Sequence, residues 1–393
     1  MTESAVSARS TSPEAPEATG SAGRVLDPTG VPGRSAPGPD LSGLSAQDAI
    51  EYCFRRGWTD GMPVVPCTEE SLARFLAQTD RDPDEVLLEM PHLARRCTVR
   101  LAAINAVMAG CLPEYLPVVL AAWDALRALG VGRSALWQST TGSAPFLLVN
   151  GPVAQRIEVN GAGNVFGSGF RANATIGRAI RLTALNVFAL RPHLLDQATQ
   201  GTPAKYSCCI AENEAASPWP GFHEDHGFAR EDSTVSAWLI RGSLYLEARH
   251  TSSPEQLLYD VVDSAGRTGR LVGTTGAIIL VFGPEHARLL AEAGWSKADV
   301  QRFVYEHTVR TPEDLDRVGK GAVSRRTRWR VPIDHPDAIE PEEGRTPVHT
   351  LGSPESVRVI VAGADNAGVS TILETAGRAD APPAIARVAG PPA

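Results

Sequence analysis

The densest group of reactive side chains in this sequence lies in the segment KYSCCIAENEAASPWPGFHEDHGF, from Lys205 to Phe228. Glu212 and Glu214 stand two positions apart, so in an extended segment they share one face. Paired carboxylates of this kind act as general acid and general base, or as metal ligands beside a histidine such as His223. The alternative interpretation is that these side chains only mark a solvated strand end.

The other reactive residues of this segment and its surroundings also allow two interpretations. Lys205 is predicted to orient an anionic substrate, although it also fits an ordinary surface lysine. Cys208 and Cys209 are neighbours, so in a strand they point to opposite faces and cannot both serve one site. Cys67 follows VVP in an irregular segment, which suits either a reactive thiol or a packed one. No two of the six cysteines form a CxxC pair, which argues against a tetrahedral cysteine zinc site.

These residues need strands and helices to position them. Short apolar runs such as FLLV, YSCCIA, IILVF and VRVIVA predict strands, and helical patterns lie between them. This alternation predicts an α/β fold with a mixed sheet, interleaved helices and a helical N-terminal part. Ligands of open α/β sheets bind at the carboxyl ends of the strands. Polar residues follow predicted strands at four places: Asn150 with Gly151, the run Glu212 to Glu214, Glu285 with His286, and Asp365 with Asn366.

Composition divides the chain into four regions. Residues 1–42 are rich in Ser, Pro, Gly, Ala and Thr, which predicts a disordered leader, because few large apolar side chains are available to repay the entropy of ordering. Residues 43–130 are predicted to be mainly helical, residues 131–375 to form a mixed α/β domain, and residues 376–393 to be a disordered tail. No internal repeat is apparent.

Charge and hydropathy exclude several classes of partner. The formal net charge of −8 argues against nucleic acid and against anionic membrane surfaces, which both require a basic patch. No apolar run is long enough to span a bilayer, and no secretory signal pattern is present. Six irregularly spaced cysteines are typical of reduced thiols in the cytoplasm. We therefore expect a cytoplasmic protein whose partner is a small polar metabolite. The glycine-rich GAGNVFGSGF does not match a dinucleotide fingerprint, and the sequence identifies no cofactor.

Several longer strings together resemble one family: TDGMPVVPCT, INAVMAGCLPEYLPVVLAAW, TTGSAPFLLVNGP, RANATIGRAIRL, KYSCCIAENEAASPWPGFH and GPEHARLLAEAGWSKADVQRFVYEH. They are similar to the large conserved proteins associated with UGSC-motif selenoproteins and their cysteine homologues, over about Ala46 to Val361. The resemblance implies thiol or selenol redox chemistry with a small cysteine or selenocysteine protein. The residues that match the family pattern are Asp60, Gly61, Asn105, Cys111, Glu114, Asn150, Asn173, Lys205, Tyr206, Glu212, Glu214, Trp219, His223 and His286.

This chain also departs from that family at three places. Cys67 stands where the family pattern has a proline, and His226 stands where it has another residue. The string GADNAGVST lacks a histidine that the family carries at that turn. These departures predict a changed or specialised reaction.

The sequence leads to three functional hypotheses. The first is a lyase or thiol-linked oxidoreductase that acts at a carbon–heteroatom bond of the sulfur type. Its predicted catalytic residues are Glu212, Glu214, His223 and Lys205, and its predicted substrate-binding residues are Asp60, Asn150, Asn173, Tyr206 and His286. The second is a non-catalytic subunit that docks a small thiol or selenol redox protein. The third is a metal-dependent hydrolase with its metal near Glu212 and His223.

Overall fold

The computed structural model describes residues 23–31, 40, 43–133, 137–267, 276–320, 348–376 and 382–390. The helical N-terminal part contains α1 Ala46–Arg55, α2 Glu69–Leu76, β1 Val86–Met90, β2 Arg95–Thr98, α3 Val99–Ala109 and α4 Leu116–Ala128. It is followed by β3 Ala144–Asn150, α5 Pro152–Arg156, α6 Arg171–Asn186, β4 Cys209–Ala211, β5 Thr234–Glu247 and α7 Pro254–Ala265. The later elements are β6 Ile278–Phe282, α8 Pro284–Glu292, α9 Lys297–His307, β7 Val309–Arg310, α10 Pro312–Arg317, β8 Val348–His349, β9 Val357–Val361, β10 Val369–Ala376 and β11 Ala384–Arg387.

The predicted α/β class with a mixed sheet is confirmed. The main sheet is seven-stranded with the order β4-β3-β5-β10-β6-β9, and β11 pairs with β5. The pairs β3 with β4 and β6 with β9 are parallel, whereas the other pairs in this sheet are antiparallel. Helices lie between these strands in the chain, as the alternating pattern predicts.

The sheet contains the same arrangement twice, which the sequence did not reveal. β3 pairs in parallel with β4 and antiparallel with β5, and β6 pairs in the same way with β9 and β10. The strands β3 and β6 are each followed by a Gly–Pro pair that begins a helix, at Gly151 after β3 and at Gly283 after β6. A Cβ atom on Gly151 would lie 2.2 Å from a backbone oxygen, and one on Gly283 would lie 2.3 Å from another. No sequence repeat accompanies this arrangement, because the backbone pairing repeats where the side chains do not.

The two faces of the sheet bury different cores. One face packs against helices on both halves, with Leu147 in the core that also contains Trp123, and Leu280 in the core of the second half. The other face carries a separate cluster that includes Phe146 and Ile360. Because Trp123 belongs to α4, the helical N-terminal part and the sheet share one hydrophobic core.

The two edges of the sheet approach each other at the carboxyl ends of β4 and β9. The N–H of Asn213 donates to the carbonyl oxygen of Val361 at 2.8 Å, and its side-chain amide donates to Gly363 at 3.0 Å. The residues that follow β4 are therefore held between two strands of the sheet and are not left on a free edge.

Parts of both predicted disordered segments are ordered. Val25 is 3% exposed, and the N–H of Leu26 donates to Cys67 at 2.8 Å, so residues 23–31 pack on the helical part. In the tail, β11 pairs with residues 234–237 of β5. On the same side of β5, β10 pairs only with residues 239–247, so β11 fills the part of this edge that β10 leaves open. The prediction of disorder is wrong for these stretches, since a few apolar residues and a vacant strand edge order a chain of poor average composition. Residues 1–22, 32–39, 41–42, 377–381 and 391–393 of the predicted segments lie outside the described residues.

Among the described helices, none is both long enough and apolar enough to cross a membrane.

Candidate active site

Two carboxylates meet at the carboxyl ends of the parallel strands β3 and β4. Asn150 ends β3, and its side-chain Nδ2 donates to Glu212 Oε2 at 2.6 Å and to Glu214 Oε1 at 3.0 Å. The register of the two strands places Glu212 beside Asn150, because Val149 is aligned with Ala211. One amide group therefore bridges two acidic side chains that are more than 60 positions away in the chain.

Glu212 is a buried acid. It is 5% exposed, and its Oε2 also accepts a hydrogen bond from the N–H of Phe222 at 2.7 Å. Burial raises the pKa of Glu212 above the ordinary value for a glutamate, against the opposing charge of Lys297 and the two hydrogen bonds. The raised pKa favours the protonated carboxyl, which is the form that a general acid requires.

Glu214 has a different environment. It is half-buried, and its Oε1 accepts from the N–H of Gly151 at 2.7 Å as well as from Asn150. The pair therefore combines a buried carboxyl with a carboxylate that faces solvent.

Gly151 is the backbone position that makes this contact possible. Its φ of 80° lies in the left-handed region, and a Cβ atom there would lie 2.2 Å from the carbonyl oxygen of Asp232. We expect Gly151→Ala to destabilise the chain by more than about 2 kcal/mol, because the clash adds to a conformational strain of about 1–2 kcal/mol. Urea denaturation measures this. Gly227→Ala is the matched control, since Gly227 has a φ of 84° with nothing within 4 Å of its Cβ position. Equal losses in the two variants would contradict the proposed clash.

The carboxylate pair opens onto a cleft of about 970 Å³. The lining residues come from the ends of β3 and β4, from the start of α6, and from the loop that precedes β5; the polar ones are Tyr115, Gln155, Glu158, Asn160, Arg171, Glu212, Asn213, Glu214, Arg230 and Glu231. A cleft of this size at the carboxyl ends of strands is the usual position of a small-molecule site in an α/β protein.

Asn173, a predicted substrate-binding residue, supports a wall of this cleft. Its Oδ1 accepts from the N–H of Asn160 at 2.8 Å, and its Nδ2 donates to the carbonyl oxygen of Asn160 at 2.9 Å. The same carbonyl accepts from the N–H of Ala211 at 3.1 Å. Asn173 is itself buried, so its amide fastens α6 to the end of β4.

Two predicted site residues are held in ion pairs outside the cleft lining. Lys205 Nζ lies 2.5 Å from Asp196 Oδ2, and Asp196 is 5% exposed. Asp60 forms a two-bond ion pair with Arg178, with both distances at 2.8 Å. The first ion pair joins two loops and the second ties a loop to α6, and neither Lys205 nor Asp60 lines the cleft.

Three further predicted residues also lie apart from the cleft lining. His223 is fully buried, and neither ring nitrogen has a hydrogen-bond partner among the described residues. It follows Phe222, whose N–H holds Glu212, so His223 is close to the acid in the chain without lining the cleft. His286 is buried with its Nδ1 2.7 Å from the Ser370 hydroxyl, and burial lowers its pKa. Tyr206 is 53% exposed.

The structure adds cleft residues that the sequence analysis did not select. Tyr115, Glu158, Arg171, Arg230 and Glu231 line the cleft with the carboxylate pair. Arg171 begins α6 directly after the glycine-rich GAGNVFGSGF, and that position was a usable signal. Tyr115 carried no such signal, because it stands in an apolar helical stretch.

The cysteines are buried or half-buried, and all six are free. Burial raises the pKa of Cys53 to about 11, and raises those of Cys67, Cys111 and Cys208 to about 12. The thiols therefore stay protonated at neutral pH, and a protonated thiol is a poor nucleophile. Within the described ranges, no three side chains of His, Cys, Asp or Glu are grouped as a metal site requires.

No family model matches the chain, and no curated protein matches its sequence. The family resemblance therefore stays a prediction.

Proposed function

We propose that this protein is an enzyme that converts a small polar metabolite by acid–base catalysis in the cleft, with Glu212 as the acid and Glu214 as the base. The observation that carries the proposal is the shared contact of both carboxylates with the Asn150 amide. Desolvation of this buried amide costs free energy that an apolar side chain in its place would not, which supports a role in the chemistry of the cleft.

The two environments support a division of roles. Burial favours the protonated form of Glu212, so this side chain has a proton to donate. Glu214 receives hydrogen bonds from Gly151 and Asn150 and remains accessible, so it can accept a proton from a molecule in the cleft. Two carboxyl groups in unlike environments are a common arrangement for acid and base in one active site.

The reaction class that we propose is the breaking or forming of a bond between carbon and a heteroatom. In the breaking direction, Glu214 removes a proton from a carbon atom, the electron pair forms a double bond, and Glu212 protonates the departing heteroatom. Sulfur as that heteroatom is the choice that the family resemblance implies. The free thiols fit a reducing compartment, and we infer that the protein works in the cytoplasm.

The residues of the cleft give less support to the other functional hypotheses. Catalysis by the protein's own thiols has no support in the buried cysteines with raised pKa values. A metal-dependent hydrolase needs a cluster of ligands, and the described residues provide none. The docking of a small thiol or selenol protein stays a prediction that makes no use of the acid pair.

The proposal is tested by incubating the purified full-length chain with an extract of small metabolites and following each compound by mass spectrometry. We expect the wild-type protein to consume at least one compound, and the double variant Glu212→Gln/Glu214→Gln to consume none of it. The variant Arg156→Gln, at an exposed position outside the cleft lining, is the control and should act like the wild type. Consumption at the wild-type rate by the double variant would overturn the proposal.

A further inference from the structure

The first turn of α6 forms part of the cleft wall, and its backbone donors are not capped. Gly169, Phe170, Arg171 and Ala172 line the cleft. Phe170 occupies the N-cap position, and no side chain among the described residues accepts a hydrogen bond from the first turn. The first N–H groups of a helix carry a partial positive charge, so this wall of the cleft favours an anion.

Arg171 adds a full positive charge at the same place. Its Nε donates to the carbonyl oxygen of Gly110 at 3.0 Å, which fixes the plane of the guanidinium group. Its two terminal nitrogens have no bond to any of the described residues. A guanidinium held in this way can bind a carboxylate through two parallel hydrogen bonds.

Tyr115 supplies a neutral donor, and it is an observation independent of the helix. Its side chain is 4% exposed and lines the cleft, and its hydroxyl has no hydrogen-bond partner among the described residues. Because Tyr115 lines the cleft, an acceptor bound there can receive a hydrogen bond from this hydroxyl. Arg171 lines the same cleft and is anchored to the carbonyl oxygen of Gly110, which precedes Tyr115 by five positions in the chain.

This wall is rigid relative to the acid pair. The amide of Asn173, in the first turn of α6, holds the main chain of Asn160 at 2.8 and 2.9 Å. Asn160 in turn binds Ala211, the residue before Glu212. A ligand held at the start of α6 is therefore placed at a fixed distance from Glu212.

We infer that Tyr115, Arg171 and the first amide groups of α6 form a subsite for a carboxylate group of the substrate. Glu158 also lines the cleft, and its negative charge disfavours a second charge on the ligand, so a monocarboxylate fits this subsite better than a phosphate dianion. The inference deepens the proposed function and rests on it, because the bound molecule is a substrate only if the protein is an enzyme. It assigns the carboxylate end of the molecule to α6 and the reacting end to Glu212 and Glu214.

Two probes test the subsite with the full-length chain: glycolate, followed by proton NMR, and inorganic phosphate, followed by phosphorus NMR. We expect saturable binding of glycolate that is tighter than that of phosphate. Arg171→Gln should weaken glycolate binding at least tenfold, because a charge-assisted bidentate contact is lost. Tyr115→Phe should weaken it by a factor of about three to ten, because one neutral hydrogen bond is lost. Arg156→Gln should leave glycolate binding unchanged.

Several results would overturn the inference. They are unchanged glycolate binding in Arg171→Gln, equal weakening in Arg171→Gln and Arg156→Gln, and tighter binding of phosphate than of glycolate. If Tyr115→Phe fails to fold, Arg171→Gln still decides the matter, because Arg171 is exposed.

The outcomes also separate this inference from the proposed function. Glycolate binding that depends on Arg171, in a protein that consumes no metabolite, would support the subsite and count against the enzyme. If turnover depends on Glu212 and Arg171→Gln has the same turnover as the wild type, the proposed enzymatic function is supported and the carboxylate subsite is refuted.

Discussion

Replacing Glu212 by glutamine is expected to lower kcat roughly 100-fold to 10,000-fold, the range that a positioned general acid contributes. Glutamine has the size of a protonated glutamate, and its carbonyl oxygen can accept from Asn150 and Phe222 as Glu212 Oε2 does. The variant therefore keeps the contacts of Oε2 and loses the proton, while its Nε2 replaces the Oε1 atom that accepts from the N–H of Val361 at 3.4 Å. The measurement is steady-state turnover of the compound identified in the metabolite extract, with melting temperature as the check on folding.

The same variant should change how stability depends on pH. Burial raises the pKa of Glu212 in the folded chain, so the folded state binds this proton more tightly than the unfolded state does. The contribution of Glu212 to stability is therefore fully present below pH 4.5, the ordinary pKa of a glutamate. It is lost as the pH rises through the raised pKa of Glu212 in the folded chain. Wild-type protein should lose stability over that window, and Glu212→Gln should lose less.

Glu231→Gln is the control for charge in the cleft. Glu231 lines the same cleft at an exposed position, so its replacement removes a negative charge without touching the buried acid. We expect less than a threefold change in kcat for this variant, in keeping with the weak interactions of an exposed charge. If Glu212→Gln and Glu231→Gln reduce kcat equally, or if neither does, Glu212 is not the acid.

Replacing Asn150 by aspartate is expected to destabilise the chain by about 3–5 kcal/mol at neutral pH, the cost of an uncompensated buried charge. Asn150 is completely buried, and its Nδ2 lies 2.6 Å and 3.0 Å from two carboxylate oxygens. An aspartate would replace that donor by a third acidic oxygen in nearly the same volume. The measurement is urea denaturation at pH 7.5 and at pH 5.

Acidification should restore part of this loss, because protonation converts a carboxylate into a donor that can again bridge its neighbours. Asn366→Asp makes the same chemical change at an exposed position in the turn after β9, and we expect it to alter stability by less than about 0.5 kcal/mol. Equal effects of the two substitutions would show that Asn150 does not bridge the carboxylates.

The sequence by itself determined the local elements of this protein and the places where chemistry could lie. Local patterns account for the helices Val99–Ala109 and Lys297–His307, the second of which begins with Ser296 and Asp299 as a capping pair. Capping and periodicity act over a few residues, so a single sequence contains them in full. The prediction of polar residues at strand ends also placed Asn150 and Glu212 correctly, since Asn150 ends one buried strand and Glu212 follows another.

Only the tertiary structure decided which of these residues meet. Asn150 reaches the two glutamates because β3 and β4 are parallel neighbours, whereas His286 lies in the first turn of the helix after the corresponding strand of the other half, with its Nδ1 2.7 Å from the Ser370 hydroxyl. Lys205 stands near Glu212 in the chain, yet its ammonium group is held by Asp196. Strand pairing depends on contacts between distant segments, and residue spacing contains no measure of those contacts. For the same reason no sequence pattern could bring Tyr115 into the cleft with the acid pair.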